Sequence, residues 1–194
     1  MINKKTLMLF SYQDCWNYAF SLKKIEAFAV KNDIITLCGT TPEDFWANFT
    51  KKVLSVSCYK KISRNLNKYL SEDYPVPYLT GKVYFYQLSL QTQEGVFIPQ
   101  SDTEILIEKA LALAEKLWPV EKKLRVLDIG TGCGNIVLSL AKIKPHWEFV
   151  AIDINPHVLQ VAQNNAKYHQ INNVEFLKSD LFSNLVSKKK KKLI

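Results

Sequence analysis

The first 75 residues carry few glycines and space their apolar side chains about one helical turn apart. One such set is Trp16, Phe20, Ile25 and Phe28, and another is Phe45, Phe49, Val53 and Val56. Thr41-Pro42-Glu43-Asp44 combines an N-cap residue, a proline at the first helical position and acids at the positive end of the helix dipole. We therefore predict a small all-helical domain over residues 1–75, with one helix beginning near Pro42.

The pattern changes after Pro75 and Pro77, which end the helical spacing. Residues 83–86 form a run of β-branched and aromatic side chains, and residues 88–92 alternate between large and small or polar positions. Both features are typical of strands that pair as a hairpin. We predict a β-hairpin linker over residues 76–100.

From residue 101 onwards, helical and strand patterns alternate. Ser101 and Glu104 have the spacing of a capping box, which predicts an amphipathic helix over 102–117. The apolar face of that helix would carry Leu106, Ala110, Leu113 and Leu117. Strand, helix, strand, helix and strand then follow, over residues 124–129, 135–143, 148–153, 156–169 and 174–178. This alternation indicates an α/β fold with a parallel sheet and right-handed crossovers.

Charge adds little to this picture. The chain has 194 residues, is 47% hydrophobic and carries a formal net charge of +8. Lys188–Lys192 supply five of the 26 basic residues, and the remaining 21 exceed the 18 acids by only three. The basic character therefore belongs mostly to this lysine run, and we do not expect direct binding to nucleic acid.

The cysteines and the apolar runs argue against a metal-binding, disulfide-rich, membrane or secreted protein. Cys15, Cys38, Cys58 and Cys133 form no CxxC pair and have no His at ligand spacing, so neither a metal site nor a disulfide framework is predicted. No apolar run approaches the ~20 residues of a membrane span. The apolar stretch near the N-terminus is also too short for a signal peptide. We expect reduced thiols, no membrane partner and a cytoplasmic location.

The main candidate for chemistry is Arg125–Asn135, an apolar strand that runs into three alternating glycines and then a helix. Glycines let the backbone turn sharply and approach a ligand, and the helix start offers free N–H groups. The spacing GxGxG departs from the dinucleotide fingerprint GxGxxG, because Asn135 and Val137 stand where the third glycine would be. No P-loop motif occurs either. An adenosine-type ligand without a pyrophosphate fits this loop better than NAD or FAD.

Each of the three predicted strands has an acidic residue at or near its carboxyl end. Asp153 closes the second strand, where it can accept hydrogen bonds from ribose hydroxyls. Asp128 lies inside the first strand and would hold the loop or a cationic group of the ligand. Asp180 follows the third strand and could accept from an adenine amino group, while Leu181 could cover the adenine ring.

Each of these features also has a plain structural interpretation. The glycine loop could be an ordinary turn, and Asp153 could belong to the N-cap region of the helix after Asn155. Asp180 is a common turn residue and Leu181 a common core residue. Cys133 has no identifiable His partner and is interpreted as a small loop residue rather than a nucleophile. A surface location is predicted for His146, His157 and His169.

The loop Val126–Gly134 together with Asp153 resembles the first two motifs of class I S-adenosylmethionine-dependent methyltransferases. More narrowly, the chain resembles the release factor glutamine N5-methyltransferases. The matching segments are Pro77–Gly81, Phe85-Tyr86, Phe97–Pro99, Asp102–Glu104, Leu127–Gly134, Asn164–Ala166 and Ser179–Phe182. This resemblance covers residues 75–185 well. In the N-terminal part it extends only to the presence of a helical domain, without matching motifs.

The resemblance implies a Rossmann-like class I methyltransferase domain over residues 101–194, incomplete at its end. The implied reaction moves a methyl group from S-adenosylmethionine to the glutamine amide in the Gly-Gly-Gln motif of peptide chain release factors, which the helical domain would help to dock. By family pattern, Asp153 would hold the ribose, and Asp180 and Leu181 would lie beside the adenine. The methionine part would lie against Gly130, Thr131, Gly132, Cys133 and Gly134.

Two departures from the family pattern matter. Gln100 and Ser101 follow Pro99, where the family usually has Pro-Arg-Pro before Asp-Thr-Glu. The Asn-Pro-Pro-Tyr motif that grips the glutamine amide in the family does not occur before Ile194, and Leu193-Ile194 would begin the fourth strand. We therefore expect a C-terminally truncated protein-glutamine methyltransferase with background turnover, and we name no catalytic residue. Two alternatives stay open, a methyltransferase for adenine in nucleic acid and a non-catalytic fragment that binds cofactor or release factor.

Overall fold

The computed structural model describes residues 9–22, 31–51 and 54–185. The chain divides into two compact units, Met1–Thr80 and Gly81–Ile194. The predicted fourth strand at Leu193-Ile194 and the lysine run lie outside the described residues. So do Ile25, Phe28 and Val53 of the predicted helical faces.

The first unit is helical in its described part. Its helices are α1 (Tyr12–Leu22), α2 (Lys31–Leu37), α3 (Pro42–Ala47), α4 (Val56–Glu72) and α5 (Val76–Thr80). The hydroxyl of Thr41 accepts a hydrogen bond from the main-chain N–H of Asp44 at 3.2 Å, which confirms the helix predicted to begin near Pro42. The unit also has one short strand pair that the helical spacing did not predict. It joins β1 (Leu9–Phe10) to β2 (Leu54–Ser55) in antiparallel orientation.

Aromatic side chains fill the core of the helical unit. Phe45 is fully buried, and its ring centroid lies 5.0 Å from that of Tyr12 and 6.1 Å from that of Trp16. Cys15 and Cys38 are buried free thiols in the same cluster. A hydrogen bond with Cys15, followed by burial, raises the pKa of Cys38 far above that of an ordinary thiol. These thiols therefore behave as packing groups of this core.

The second unit contains the hairpin and the α/β sheet. β3 (Lys82–Phe85) and β4 (Leu88–Gln91) pair antiparallel, as predicted for the hairpin. The first residues of the predicted linker, 76–80, instead form helix α5. The remaining elements are α6 (Glu104–Leu117), β5 (Arg125–Ile129), α7 (Asn135–Ile143), β6 (Glu148–Asp153), α8 (Pro156–Tyr168) and β7 (Val174–Lys178). The last three strands are parallel and lie in the order β5-β6-β7. The predicted α/β fold is therefore confirmed.

The start of α6 differs from the predicted capping box. Ser101–Thr103 form a short 3-10 turn, and the N-cap residue Thr103 makes no side-chain cap bond. Glu104 Oε1 instead accepts a hydrogen bond from the main-chain N–H of Tyr86 at 3.0 Å. The carboxylate thus fastens the turn of the hairpin rather than its own helix.

The buried face of α6 also differs from the predicted one. Ile107 and Ala114 are buried in the core cluster that contains Leu88 and Leu90 of the hairpin. Three residues of the predicted face, Leu106, Leu113 and Leu117, are more than half exposed. Apolar residues occupy both sides of this helix, so its sequence alone did not determine which side packs on the hairpin.

The register of the sheet brings three loops together at the carboxyl end of its strands. Ile129 pairs with Ile152, and Asp153 pairs with Lys178. The middle strand β6 is buried from Phe149 to Ile152. Because parallel strands end on the same side, the segments after β5, β6 and β7 all leave the sheet at this carboxyl end, where open α/β sheets bind ligands.

Candidate functional site

The loop after β5 folds back over the end of β6. The main-chain N–H groups of Gly130 and Thr131 both donate to the carbonyl of Ile152 at 2.9 Å, and the N–H of Gly134 donates to the carbonyl of Thr131 at 2.8 Å. The three glycines have φ values of +73°, +59° and +85° in chain order. Side chains of L-residues rarely adopt this left-handed backbone, so glycine suits each position.

The glycines differ in what surrounds them. A Cβ atom on Gly134 would lie 2.8 Å from Leu138 Cδ1 and 3.3 Å from Ala162 Cβ, so this glycine lets α7 and α8 pack closely. A Cβ atom on Gly130 or Gly132 would meet no atom within 4 Å. Open space therefore lies in front of the first two glycines, where a ligand can approach the backbone.

Asp153 lies against this loop. Its Oδ2 accepts a hydrogen bond from the main-chain N–H of Gly132 at 3.1 Å, and its Oδ1 accepts from the N–H of Asn155 at 3.0 Å. The N-cap of α8 is Asn155, whose Oδ1 accepts from the N–H of His157 at 2.9 Å. Asp153 is therefore not the N-cap itself, although one of its oxygens binds the N–H of the N-cap residue. A carboxylate has about four lone-pair sites, so both oxygens keep capacity to accept ligand hydroxyls.

Asp128, in strand β5, is hydrogen-bonded to the glycine loop. The hydroxyl of Thr131 donates to Asp128 Oδ2 at 2.8 Å. Burial raises the pKa of Asp128, the hydrogen bond from Thr131 lowers it, and the charge of Asp153 raises it further. Asp128 thus holds the loop, which is the first of the two roles predicted for it.

The segment after β7 reaches the same carboxyl end. The N–H of Ser179 donates to the carbonyl of Asp153 at 3.1 Å, and the hydroxyl of Ser179 donates to the carbonyl of Leu181 at 2.8 Å. Leu181 has φ +45° and is 60% exposed, so it is not a core residue. Asp180 is exposed. The structure thus joins Gly132 and Asp153 directly, and it links Asp180 and Leu181 to them through Ser179.

Two apolar residues at this end were missed by sequence analysis. Ile154 follows Asp153 and is 61% exposed, and Phe182 follows Leu181 and is 56% exposed. Exposed large apolar groups beside converging polar groups are typical of small-molecule sites. The available signal was an isoleucine in the short connection between β6 and α8, where a polar residue is usual.

Cys133 lies inside the fold, and the surface location predicted for one histidine is wrong. Cys133 is buried, and burial raises the pKa of its thiol to about 11, so the thiol is protonated at neutral pH. His146 and His157 are exposed, as predicted. His169, in contrast, is half-buried, and its Nε2 lies 2.9 Å from the carbonyl oxygen of Ser89.

The described ranges contain neither a candidate metal site nor a helix that could span a membrane. Within residues 9–22, 31–51 and 54–185, no cluster of three or more His, Cys, Asp or Glu side chains could hold a metal ion. Over the same ranges, no helix has the length and apolar character needed to cross a membrane.

Parts of the chain are similar to known methyltransferases. Residues 120–193 match the family model of a methyltransferase domain. The release factor glutamine methyltransferase of Haemophilus influenzae is 42% identical over 123 residues, which cover 59% of this chain and 42% of that protein. The Shewanella oneidensis protein of the same name is 30% identical over 173 residues, which cover 89% of this chain and 58% of that protein.

A solved structure is also similar in part. The RNA methyltransferase from Salinibacter ruber, in complex with S-adenosyl-L-homocysteine, aligns with 29% identity and a TM-score of 0.39, over 47% of this chain and 56% of that chain. The chain spans about half the length of the curated relatives it matches. Residues 120–193 thus match a methyltransferase-domain model, and the chain is similar in sequence to the release factor glutamine methyltransferases.

Proposed function

We propose that the carboxyl end of the sheet binds S-adenosylmethionine and that the protein methylates the glutamine amide in the Gly-Gly-Gln motif of peptide chain release factors. The observation that carries the cofactor assignment is the hydrogen bond from Gly132 N–H to Asp153 Oδ2. It joins the glycine loop and an acid of the neighbouring strand at one point, as a ligand with both a backbone-binding part and a ribose requires.

Each part of the cofactor has a counterpart among the residues. The backbone of Gly130 and Gly132 faces open space, and the loop Gly130–Gly134 would hold the methionine part. Asp153 would accept from the ribose hydroxyls. Ile154 and Leu181 would flank the adenine ring, and Asp180 would accept from its amino group. The exposure of Ile154 and Leu181 supports this assignment, because a bound ring would remove their apolar surface from water.

Charge favours S-adenosylmethionine over a dinucleotide. Asp128, Asp153 and Asp180 all lie at this end of the sheet. Their carboxylates would attract the sulfonium cation and repel a pyrophosphate. The acids therefore support a cationic, adenosine-containing cofactor.

The acceptor assignment rests on the homologous proteins. In the proposed step, the lone pair of the glutamine amide nitrogen forms a bond to the methyl carbon, the carbon–sulfur bond breaks, and the nitrogen loses a proton. The products are N5-methylglutamine, S-adenosylhomocysteine and a proton, which would be released to solvent. An amide nitrogen is a poor nucleophile, so alignment with the methyl group would supply most of the rate. Release factors are the proposed partners, and the helical unit would help to dock them. The proposed location is the cytoplasm.

Calorimetry with S-adenosylhomocysteine tests the cofactor site. Asp153→Ala is expected to weaken binding by about 1–3 kcal/mol, because it removes a charged acceptor from the ribose. Glu121→Ala, at an exposed acid outside the site, is the matched control and should bind like wild type. Tighter binding of NAD than of S-adenosylhomocysteine would exclude the proposed cofactor.

A methyl-transfer assay tests the acceptor. Release factor, the same factor with its Gly-Gly-Gln glutamine replaced, and an RNA oligonucleotide are offered with labelled S-adenosylmethionine. Label in the intact factor alone is the expected result. Label in RNA selects the nucleic-acid alternative. Binding of the release factor is measured in parallel, because binding without turnover identifies the non-catalytic alternative.

A further inference from the structure

Asn165 of α8 has no exposed surface, and its side chain joins three separate segments. Its Oδ1 accepts a hydrogen bond from the main-chain N–H of Gln91 at 2.7 Å, and its Nδ2 donates to the carbonyl of Gln91 at 3.0 Å. The same Nδ2 donates to the carbonyl of Cys133 at 2.9 Å. One amide therefore links helix α8, strand β4 of the hairpin and the glycine loop.

The bond to Cys133 acts on the orientation of the loop. The carbonyl of Cys133 and the N–H of Gly134 belong to the same planar peptide group, so fixing one fixes the other. That N–H donates to the carbonyl of Thr131 at 2.8 Å. Holding the Cys133 carbonyl thus also sets the turn between Thr131 and Gly134, the part of the loop that lies against Asp153.

The C-cap residue of α8 provides an internal comparison. His169 lies one helical turn after Asn165, and its Nε2 is 2.9 Å from the carbonyl oxygen of Ser89. Ser89 and Gln91 are alternate residues of β4, so the two side chains grip the same strand edge. The His169 side chain bonds to the hairpin, whereas the Asn165 side chain bonds to both the hairpin and the loop.

We infer that Asn165 is a positioning residue that couples the hairpin to the glycine loop, so that cofactor binding and hairpin anchoring strengthen each other. This inference rests on the proposed cofactor site. A ligand that orders residues 130–134 fixes the Cys133 carbonyl, which holds the Asn165 amide in place for Gln91. Loss of the amide frees both segments and weakens the ligand.

Hydrogen exchange on the wild-type protein tests the coupling without a substitution. The N–H of Gln91 is the proton that Asn165 holds, so its exchange reports directly on this bond. Saturation with S-adenosylhomocysteine should slow exchange at Gln91 by about fivefold or more. The N–H of Phe149, which donates to the carbonyl of Asn173 at 2.9 Å, is the control and should change less. Slower exchange at residues 130–134 with no change at Gln91 overturns the inference and leaves the cofactor site intact.

Substitutions supply the second test. Asn165→Ala should weaken S-adenosylhomocysteine binding about tenfold. Asn173→Ala is the matched control, because Asn173 Nδ2 also lies near several main-chain carbonyls, at 3.2, 3.3 and 3.1 Å, far along the sheet from the loop. Its affinity should stay within about twofold of wild type. Equal losses of affinity in the two variants would mean that Asn165 acts only through stability.

Two further variants separate the links. Asn165→Asp keeps the acceptor for Gln91 N–H and removes the donor to the carbonyls of Cys133 and Gln91, so it should bind the ligand as weakly as Asn165→Ala. It replaces that variant where alanine prevents folding. His169→Ala should speed exchange in the hairpin alone, whereas Asn165→Ala should speed it in the hairpin and in residues 130–134. Wild-type affinity in Asn165→Asp overturns the inference. Absence of binding by wild type removes the cofactor site and the inference together.

Discussion

The two ends of the parallel sheet are built in opposite ways. At the carboxyl end, the backbone is left-handed at the loop glycines and at Leu181, and Ile154 is exposed to solvent. At the amino end, Trp147 and Phe149 are buried, and Asn173 Nδ2 donates to three main-chain carbonyls. These carbonyls belong to Ala141, Lys144 and Trp147.

This difference suggests that ligand affinity depends on the carboxyl end of the sheet and that the amino end contributes mainly to stability. Left-handed backbone and exposed apolar groups cost free energy in the empty protein, and they persist where a ligand uses them. The amino end shows buried rings and an asparagine that donates to main-chain carbonyls, and these contribute to the stability of the fold, although the buried indole N–H of Trp147 has no hydrogen-bond partner. Substitutions at the amino end should therefore change stability without affinity. Substitutions in the open part of the carboxyl end should change affinity most.

The largest effect is expected where the glycine loop meets the helices. Gly134→Ala would place a Cβ atom 2.8 Å from Leu138 and 3.3 Å from Ala162, on a backbone with φ +85°. Overpacking and left-handed strain together should lower the free energy of unfolding by about 2–5 kcal/mol. Urea unfolding measures this loss. A wild-type midpoint would contradict the packing role assigned to this glycine.

The amino end provides the next effect. Asn173→Ala leaves three carbonyls without their side-chain donor, so the free energy of unfolding should fall by about 2 kcal/mol. The affinity for S-adenosylhomocysteine should not change. Thermal unfolding and calorimetry on the same samples test both statements. A parallel loss of affinity would show that the two ends are not independent.

A smaller effect separates the loop glycines. Gly132→Ala introduces strain at φ +59° but no clash, which should cost about 1–2 kcal/mol of stability. The new methyl group also enters the open space proposed for the ligand, so the affinity for S-adenosylhomocysteine should fall. Gly95→Ala is the control, since Gly95 has φ +84° and equally open surroundings. It should lose similar stability and no affinity. Equal affinity in both variants would place the ligand elsewhere.

Sequence patterns predicted the elements of the α/β unit closely, because each pattern is local. The helix predicted over residues 135–143 is α7, and the strand predicted over 148–153 is β6. Periodic burial and glycine positions encode such elements within a few turns of chain. The face of α6 was missed because both of its faces are apolar, and only the hairpin core chooses between them.

The side chains that connect elements could not be predicted from local patterns. Glu104 binds the N–H of Tyr86, 18 positions away, and Asn165 binds Gln91, 74 positions away. His169 contacts Ser89 across 80 positions. Each contact joins a side chain to a main-chain group, and a main-chain group carries no residue-specific signal. The folded backbone alone reveals these partners.

The smallest expected effect concerns the buried acid below the loop. Burial raises the pKa of Asp128 above its ordinary value of 3.8, although the hydrogen bond from Thr131 opposes this rise. A carboxyl group with a higher pKa in the folded state binds its proton more tightly there than in the unfolded chain. Its stabilising contribution is therefore complete below the ordinary pKa and is lost as the pH rises through the raised pKa.

Asp128→Asn isolates this titration, because an asparagine stays neutral and keeps an oxygen acceptor for Thr131. The stability of the variant relative to wild type should therefore increase as the pH rises from about 3 to about 7. Urea unfolding of both proteins across this range measures the difference, and Glu121→Gln, at an exposed acid, serves as the control. A difference in free energy that stays constant with pH would show that Asp128 has the same pKa in both states. Ionisation of Asp128 would then leave the free energy of unfolding unchanged.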